Sequence, residues 1–136
     1  MKPISRVKLL TALIAIAAPI WVAGQGSNFV GGTPAAVDAT KIRTSRLRFP
    51  KGSRSNWHTH SWGQLLMIEE GRGRTQVRGG PVLETVPGQP WWTAAGVEHW
   101  HGAAPDQDAL QLTIYEGDLK WLEPVSDKEY LTAPRK

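Results

Sequence analysis

Short apolar runs that alternate with glycine-marked turns fill the chain after residue 40. No run before residue 117 keeps the 3.6-residue period of an amphipathic helix. Runs of strand length occur at residues 65–68, 73–78, 82–86 and 110–115, and glycine lies in most of the intervening turns. Short runs at this spacing predict an all-β barrel or sandwich over residues 41–117.

The segments on either side of this region have a different composition. Residues 25–40 are rich in glycine, serine and alanine and have no apolar period, which is typical of a flexible lead-in. Residues 118–136 are predicted to form a short C-terminal tail, in which Ser126-Asp127 after Pro124 indicates one helical turn. The 136 residues therefore predict one folded domain.

The N-terminal residues have the pattern of an export signal. Three cations among the first eight residues precede an uncharged run at residues 9–23, and Val22 and Gly24 fit the small positions of a cleavage site. A membrane anchor is the alternative, but the run is shorter than the roughly 20 apolar residues that a spanning helix needs. We expect residues 1–24 to be a signal peptide. The mature protein would then be periplasmic or secreted, with no stable membrane association.

Charge and cysteine content narrow the classes of function. The formal net charge of +4 comes mostly from Lys2, Arg6 and Lys8, because no acidic residue precedes Asp38. Without residues 1–24 the net charge is +1, so we expect no nucleic-acid partner. The absence of cysteine excludes disulfides, thiolate metal sites and a cysteine nucleophile.

All four histidines fall into two pairs with the same spacing, His58 with His60 and His99 with His101. On a strand, residues two apart point to the same face. Gln64 keeps this parity if the first strand continues past His60. Two strands with paired imidazoles predict a site for one divalent ion, because neutral imidazole binds the first-row metals and an amide oxygen can complete the ligand set.

The same two segments resemble the two sequence motifs of the cupin family. Glycine, histidine and glutamine occur with the spacing of the first motif at Gly52, His58, His60, Gln64 and Gly71, and Gly88, Ala94, Gly96 and His99 follow the second. The resemblance covers residues 41–115 and implies a single-domain jelly-roll barrel, also called a double-stranded β-helix. Three positions depart from the family: Gln64 replaces a glutamate, Ala94 a proline and Ala103 an asparagine.

The stretches WHTHSWGQ and GVEHWHGAAP are more closely similar to a bacterial branch of small cupins that includes the manganese-dependent hydroxynitrile lyases. This resemblance implies that the metal ligands are His58, His60, Gln64 and His99. In that branch the strand after the GAAP turn carries an inward histidine, and Gln111 stands at that position here. The resemblance favours manganese or iron, whereas the general affinity order of nitrogen-rich sites favours copper or zinc. The identity of the metal therefore stays open.

Gln64 also changes the expected chemistry. Three imidazoles and an amide carry no charge, so a bound ion keeps its full positive charge and becomes a stronger Lewis acid. The base must then come from a residue outside the ligand set, and His101 is the candidate catalytic residue. Two other roles for His101 remain open: a ligand in place of Gln64, or a buried side chain bonded to a backbone carbonyl.

Two functions follow from these features. The first is a metal-dependent enzyme of lyase type (similar to the hydroxynitrile lyases) or of oxidoreductase type (a dioxygenase), which acts on a small organic molecule. The second is a non-catalytic module that binds or senses a small ligand in the same cavity.

The tryptophans bear on packing and assembly. Trp57 and Trp100 adjoin predicted ligands, so alternation along a strand points them away from the site, toward the outer face or a subunit contact. One of Trp91 and Trp92 is expected to face inward and narrow the pocket. Small cupins commonly pair, and outward tryptophans need burial, so we expect a homodimer.

The export interpretation can be checked directly. We expect the mature protein to begin near Gln25 and to appear in the periplasm or the medium, because cleavage would follow Gly24. N-terminal sequencing of the protein from fractionated cells measures this. Intact Met1 on membrane-bound material would contradict the prediction.

Overall fold

The computed structural model describes residues 28–135, so the predicted signal peptide at residues 1–24 lies outside it. Residues 28–36 are exposed and form no strand or helix. The β fold occupies the following segment, with strands β1 (Arg43–Phe49), β2 (His58–His60), β3 (Gly63–Gly71), β4 (Gly73–Val77), β5 (Leu83–Thr85), β6 (Trp91–Ala94), β7 (His99–Ala103), β8 (Ala109–Tyr115) and β9 (Leu119–Trp121), and helix α1 (Asp127–Tyr130). In this part of the chain, no helix has the length and apolar character needed to cross a membrane.

The strands form two antiparallel sheets that enclose the interior. One sheet has the order β1-β8-β3-β6, and the other has the order β5-β4-β7-β2-β9. Ile68 of the first sheet packs on Ala103 of the second, together with Ala109 and the half-buried Phe49. The predicted all-β jelly roll is therefore confirmed.

The outer face of the second sheet carries the larger apolar cluster. Trp100 alternates with the inward histidines of β7, and it packs with Trp57 and Val82 against Val125 and Tyr130 of the C-terminal segment. Replacement of a buried aromatic residue by alanine typically costs about 3–5 kcal/mol, so this cluster contributes strongly to stability. The outward orientation predicted for the two tryptophans holds. Since the chain itself covers them, their burial requires no second subunit.

The segment after residue 117 was expected to be a tail, but it completes the second sheet. Strand β9 pairs with β2, and its Trp121 lies opposite His58. The predicted helical turn is present as α1, where the Ser126 side chain accepts from the Glu129 backbone amide and the Glu129 side chain accepts from Ser126. The strand was missed because three residues are too few to show an alternating pattern.

Gly71 closes the turn between β3 and β4 at a point where the chain has no room for a side chain. Its φ of 75° lies in the left-handed region, which L side chains rarely adopt. A Cβ atom at this position would also collide with the backbone carbonyl of Asp108. Both the conformation and the crowding therefore require glycine at this position.

Gly71→Ala is expected to destabilise the protein by about 3 kcal/mol or more, because strain at positive φ adds to a steric clash with rigid backbone. Gly88→Ala is the matched control, since Gly88 has a φ of 83° and open space around it. That substitution should cost only about 1–2 kcal/mol. Urea denaturation of both variants measures the difference, and equal losses would contradict the role of the Asp108 contact.

Candidate metal centre

The four histidines lie side by side on two neighbouring strands. In β2 and β7, His58 lies directly opposite His99. Because side chains alternate along each strand, His60 and His101 share the inward face with them. All four side chains are buried, with at most 5% of their surface exposed. The paired arrangement predicted from the sequence is present.

Gln64 reaches the same place from the opposite sheet. Strand β2 ends at His60, the chain turns at Gly63, whose φ is 109°, and β3 begins in the other sheet. The alternation along one strand placed Gln64 beside the histidines only if that strand continued past His60. The strand ends at His60 instead. Gln64 is nevertheless buried, and its Oε1 lies 2.8 Å from Nε2 of His99.

Backbone carbonyls fix the orientation of two rings. Nδ1 of His58 donates to the carbonyl of Asn56 at 2.9 Å, and Nδ1 of His99 donates to the carbonyl of Val97 at 3.0 Å. A neutral imidazole carries one N–H group, so Nε2 of each ring keeps an unshared electron pair. This is the form of histidine that binds metals.

The remaining polar atoms fit a bound cation. Both ring nitrogens of His60 are buried without a hydrogen-bond partner, which is costly for a polar side chain. Nε2 of His99 and Oε1 of Gln64 face each other although both are electron-pair donors. Turning the Gln64 amide would leave His60 without a partner, whereas a cation would satisfy all three side chains.

Distances support the same conclusion. Ring nitrogens of His58, His60 and His99 lie within 4.8 Å of one another. Two imidazoles bound to one ion at about 2.1 Å can be at most about 4.2 Å apart, so small ring movements would bring the set into range. These three histidines could therefore bind a metal ion.

The histidines are neutral near pH 7. Burial is the main cause, and the neighbouring His58 ring adds to it: together they lower the pKa of His60 and of His99 to about 4. The same two causes lower the pKa of His101 to about 3. Neutral rings can offer electron pairs to a metal or accept a proton.

His101 has a different partner from the other rings. Its Nδ1 lies 2.8 Å from Oε1 of Gln111, which is fully buried on β8. The inward position expected for Gln111 is therefore observed. The backbone-carbonyl contact considered for the His101 ring is replaced by this side-chain contact.

A cavity of about 200 Å³ opens beside these side chains. The side chains of His58, His60, Gln64 and His101 form one wall, and His99 does not line the cavity. The other walls come from the first and last parts of the fold, namely Ser45, Leu47, Phe49, Ser55, Thr113, Tyr115, Leu119 and Trp121. The cavity is thus polar on one side and mostly apolar on the other, as small-molecule sites usually are.

Sequence reasoning missed the apolar wall. Alternation at Ser45, Leu47 and Phe49 indicates an inward face of β1, but Arg46 and Arg48 between them give the segment the pattern of a solvated strand. Trp121 had no detectable signal, because the position of β9 follows from its pairing with β2.

The tryptophan expected to narrow the pocket is not where it was predicted. Trp91 faces inward opposite the buried Leu66, and Trp92 is 48% exposed. Neither lines the cavity, and Trp121 borders it instead. The expectation for Trp91-Trp92 is therefore wrong as regards the pocket.

Comparison with known proteins agrees with the geometry. The sequence profile of the Cupin domain family matches residues 45–115. An (R)-mandelonitrile lyase from Granulicella tundricola is 38% identical over 99 residues, which are 70% of this chain and 76% of that protein. This relative supports the resemblance seen in the two histidine segments.

Solved structures show the same fold. A cupin-like protein from Thermotoga maritima has a TM-score of 0.67 at 33% identity, over 71% of this chain and 75% of that chain. The DMSP lyase DddQ from Ruegeria pomeroyi has a TM-score of 0.55 at 19% identity, over 64% of this chain and 46% of that chain. Since the family profile spans the strands that carry the histidines and sequence identity extends well beyond them, the chain belongs to the cupin family.

Proposed function

We propose that the protein is a metal-dependent lyase that cleaves small α-hydroxynitriles into a carbonyl compound and hydrogen cyanide. The observation that carries the proposal is the juxtaposition of a three-histidine metal group with a fourth, separately held histidine at one small cavity. The (R)-mandelonitrile lyase relative supports the choice of substrate class.

The ligands would be His58, His60 and His99, with the Gln64 amide oxygen completing the set. None of them is charged, so a bound divalent ion would act as a Lewis acid toward a substrate hydroxyl or carbonyl oxygen. Imidazole and amide ligands suit several first-row ions, namely manganese, iron, copper and zinc.

His101 supplies the base. Its Nδ1 is engaged by Gln111, so the other ring nitrogen, Nε2, is available to the cavity that His101 lines. In the proposed step, Nε2 takes the hydroxyl proton as the bond between the carbinol and nitrile carbons breaks. The carbonyl forms, cyanide leaves with the bonding electrons, and the proton passes from His101 to cyanide.

The cavity selects for size and polarity. Its volume of about 200 Å³ lies below the roughly 300–1,000 Å³ of most ligand pockets, so a substrate must be small. The hydroxyl and nitrile groups would face the histidine wall, and an apolar substituent would lie against Phe49, Leu47 and Trp121. This apolar wall would also exclude water from the reacting atoms once a substrate fills the cavity.

Location and assembly are parts of the same proposal. The N-terminal pattern supports export, and loading with metal would then take place outside the cytoplasm. A homodimer is retained as a proposal because exposed apolar side chains such as Trp62 and Trp92 remain on the surface.

Metal affinity of single-residue variants distinguishes the three histidine ligands from Gln64 and His101. His58→Ala, His60→Ala and His99→Ala should each abolish stoichiometric binding, because each removes one of three nitrogen ligands. Gln64→Ala should weaken affinity by at most roughly 10- to 100-fold, since water can replace an uncharged oxygen ligand. Titration calorimetry and elemental analysis with Mn²⁺, Fe²⁺, Cu²⁺ and Zn²⁺ measure this. If His101→Ala strips the metal while Gln64→Ala does not, the ligand set is four histidines.

Activity separates an enzyme from a binding module. His101→Ala should retain metal but lower the rate of cyanohydrin cleavage by about 10²- to 10⁴-fold, the usual contribution of a general base. Release of benzaldehyde from mandelonitrile, followed by absorbance, measures the rate. Wild-type protein that is loaded with metal and binds the compound without turning it over would favour the non-catalytic module.

A further inference from the structure

Gln111 makes two hydrogen bonds in the interior, and both are short. Its side-chain Nε2 donates to the carbonyl of Gly102 at 2.7 Å, and its Oε1 lies 2.8 Å from Nδ1 of His101. None of its surface is exposed, and it does not line the cavity. Gln111 therefore does not touch a molecule in the cavity, whereas its hydrogen-bond partner His101 lines it.

The Gly102 carbonyl decides the direction of both bonds. A carbonyl oxygen only accepts hydrogen bonds, so the amide nitrogen of Gln111 must face it. The amide oxygen then faces His101 and can only accept, which requires a proton on Nδ1. A neutral ring has one such proton, so Nε2 carries the electron pair.

We propose that Gln111 is a positioning residue that holds His101 as the Nδ1-protonated tautomer, with Nε2 directed to the cavity. The catalytic consequence rests on the proposed function, whereas the tautomer can be observed without any substrate. The amide does for His101 what the Asn56 and Val97 carbonyls do for His58 and His99.

The anchor of this arrangement is rigid. Gly102 lies opposite Arg74 in the β4–β7 pairing and forms a further bridge with Arg54 on its other side. A Cβ atom on Gly102 would collide with the backbone of Ser53 and Arg54, which shows how closely the chains approach. The carbonyl that orients Gln111 is therefore held by neighbouring strands.

The test is the tautomer of His101 in the full chain loaded with Zn²⁺, which is diamagnetic. Long-range proton–nitrogen NMR of protein labelled with ¹⁵N-histidine reports which ring nitrogen carries the proton. The chain has only four histidines, and His101→Ala identifies the signals of this ring. Gln111→Met is the informative variant, because methionine has a similar length but offers no strong acceptor.

Thr75→Val is the matched control. Thr75 donates to the Trp100 carbonyl at 2.8 Å, so this variant also removes one buried hydrogen bond to β7 but none to the His101 ring. We expect a proton on Nδ1 in wild type and in Thr75→Val, and a mixture of tautomers in Gln111→Met. With mandelonitrile, kcat of Gln111→Met should fall roughly tenfold, with KM little changed.

Gln111→Glu tests rescue, because a carboxyl group that is protonated in this buried place can donate to the Gly102 carbonyl and still accept from Nδ1. Gln111→Glu should show the same single tautomer as wild type. It is the variant to measure if Gln111→Met does not fold. An unprotonated Nδ1 in wild type, or an unchanged tautomer in Gln111→Met, would overturn the proposal. The expected tautomers without turnover of any cyanohydrin would support the positioning role and count against the proposed function alone.

Discussion

The interior of this protein depends on one constraint: four neutral imidazoles are buried together, and each ring nitrogen needs a partner. Pairing of β2 with β7 brings His58 opposite His99, and alternation adds His60 and His101 to the same face. In three rings Nδ1 is hydrogen-bonded to a backbone carbonyl or to a buried amide oxygen. This leaves the electron pair of each ring on Nε2. Such a cluster is costly unless a cation or a proton donor uses those electron pairs, so this packing favours a bound metal ion.

Stability comes from the other face of the same strands. Trp57 and Trp100 adjoin inward histidines in sequence but point outward, where Val125 and Tyr130 cover them. The guanidinium groups of Arg78 and Arg54 lie 4.1 and 4.4 Å from the ring centres of Trp57 and Tyr130, and they close the cluster toward solvent. A polar interior can therefore persist because the outer apolar layer stabilises the strands that hold it. The C-terminal segment therefore has two structural roles. It covers the outward tryptophans, and Trp121 of its β9 lines the cavity.

Two glutamines set the electrostatics of the site. At position 64 an amide would keep the proposed ligand set uncharged, and at position 111 an amide contacts the His101 ring without adding a second titratable group. No carboxylate lines the cavity in the described part of the chain. Three histidines that line the cavity, His58, His60 and His101, carry electron pairs that can accept a proton, and burial lowers their pKa values.

The sequence by itself determined the β fold, the two histidine pairs and the outward tryptophans. Alternation along a strand is a local property, so it can be recognised from neighbouring residues in the sequence. Through the family resemblance, the sequence also indicated Gln64 and Gln111 as residues of the candidate site. Only the tertiary structure decided how Gln64 arrives, since the turn at Gly63 moves it to the opposite sheet. The same holds for Trp121 at the cavity, which depends on the pairing of β9 with β2, and for the amide of Gln111 on His101, which depends on how the two sheets face each other.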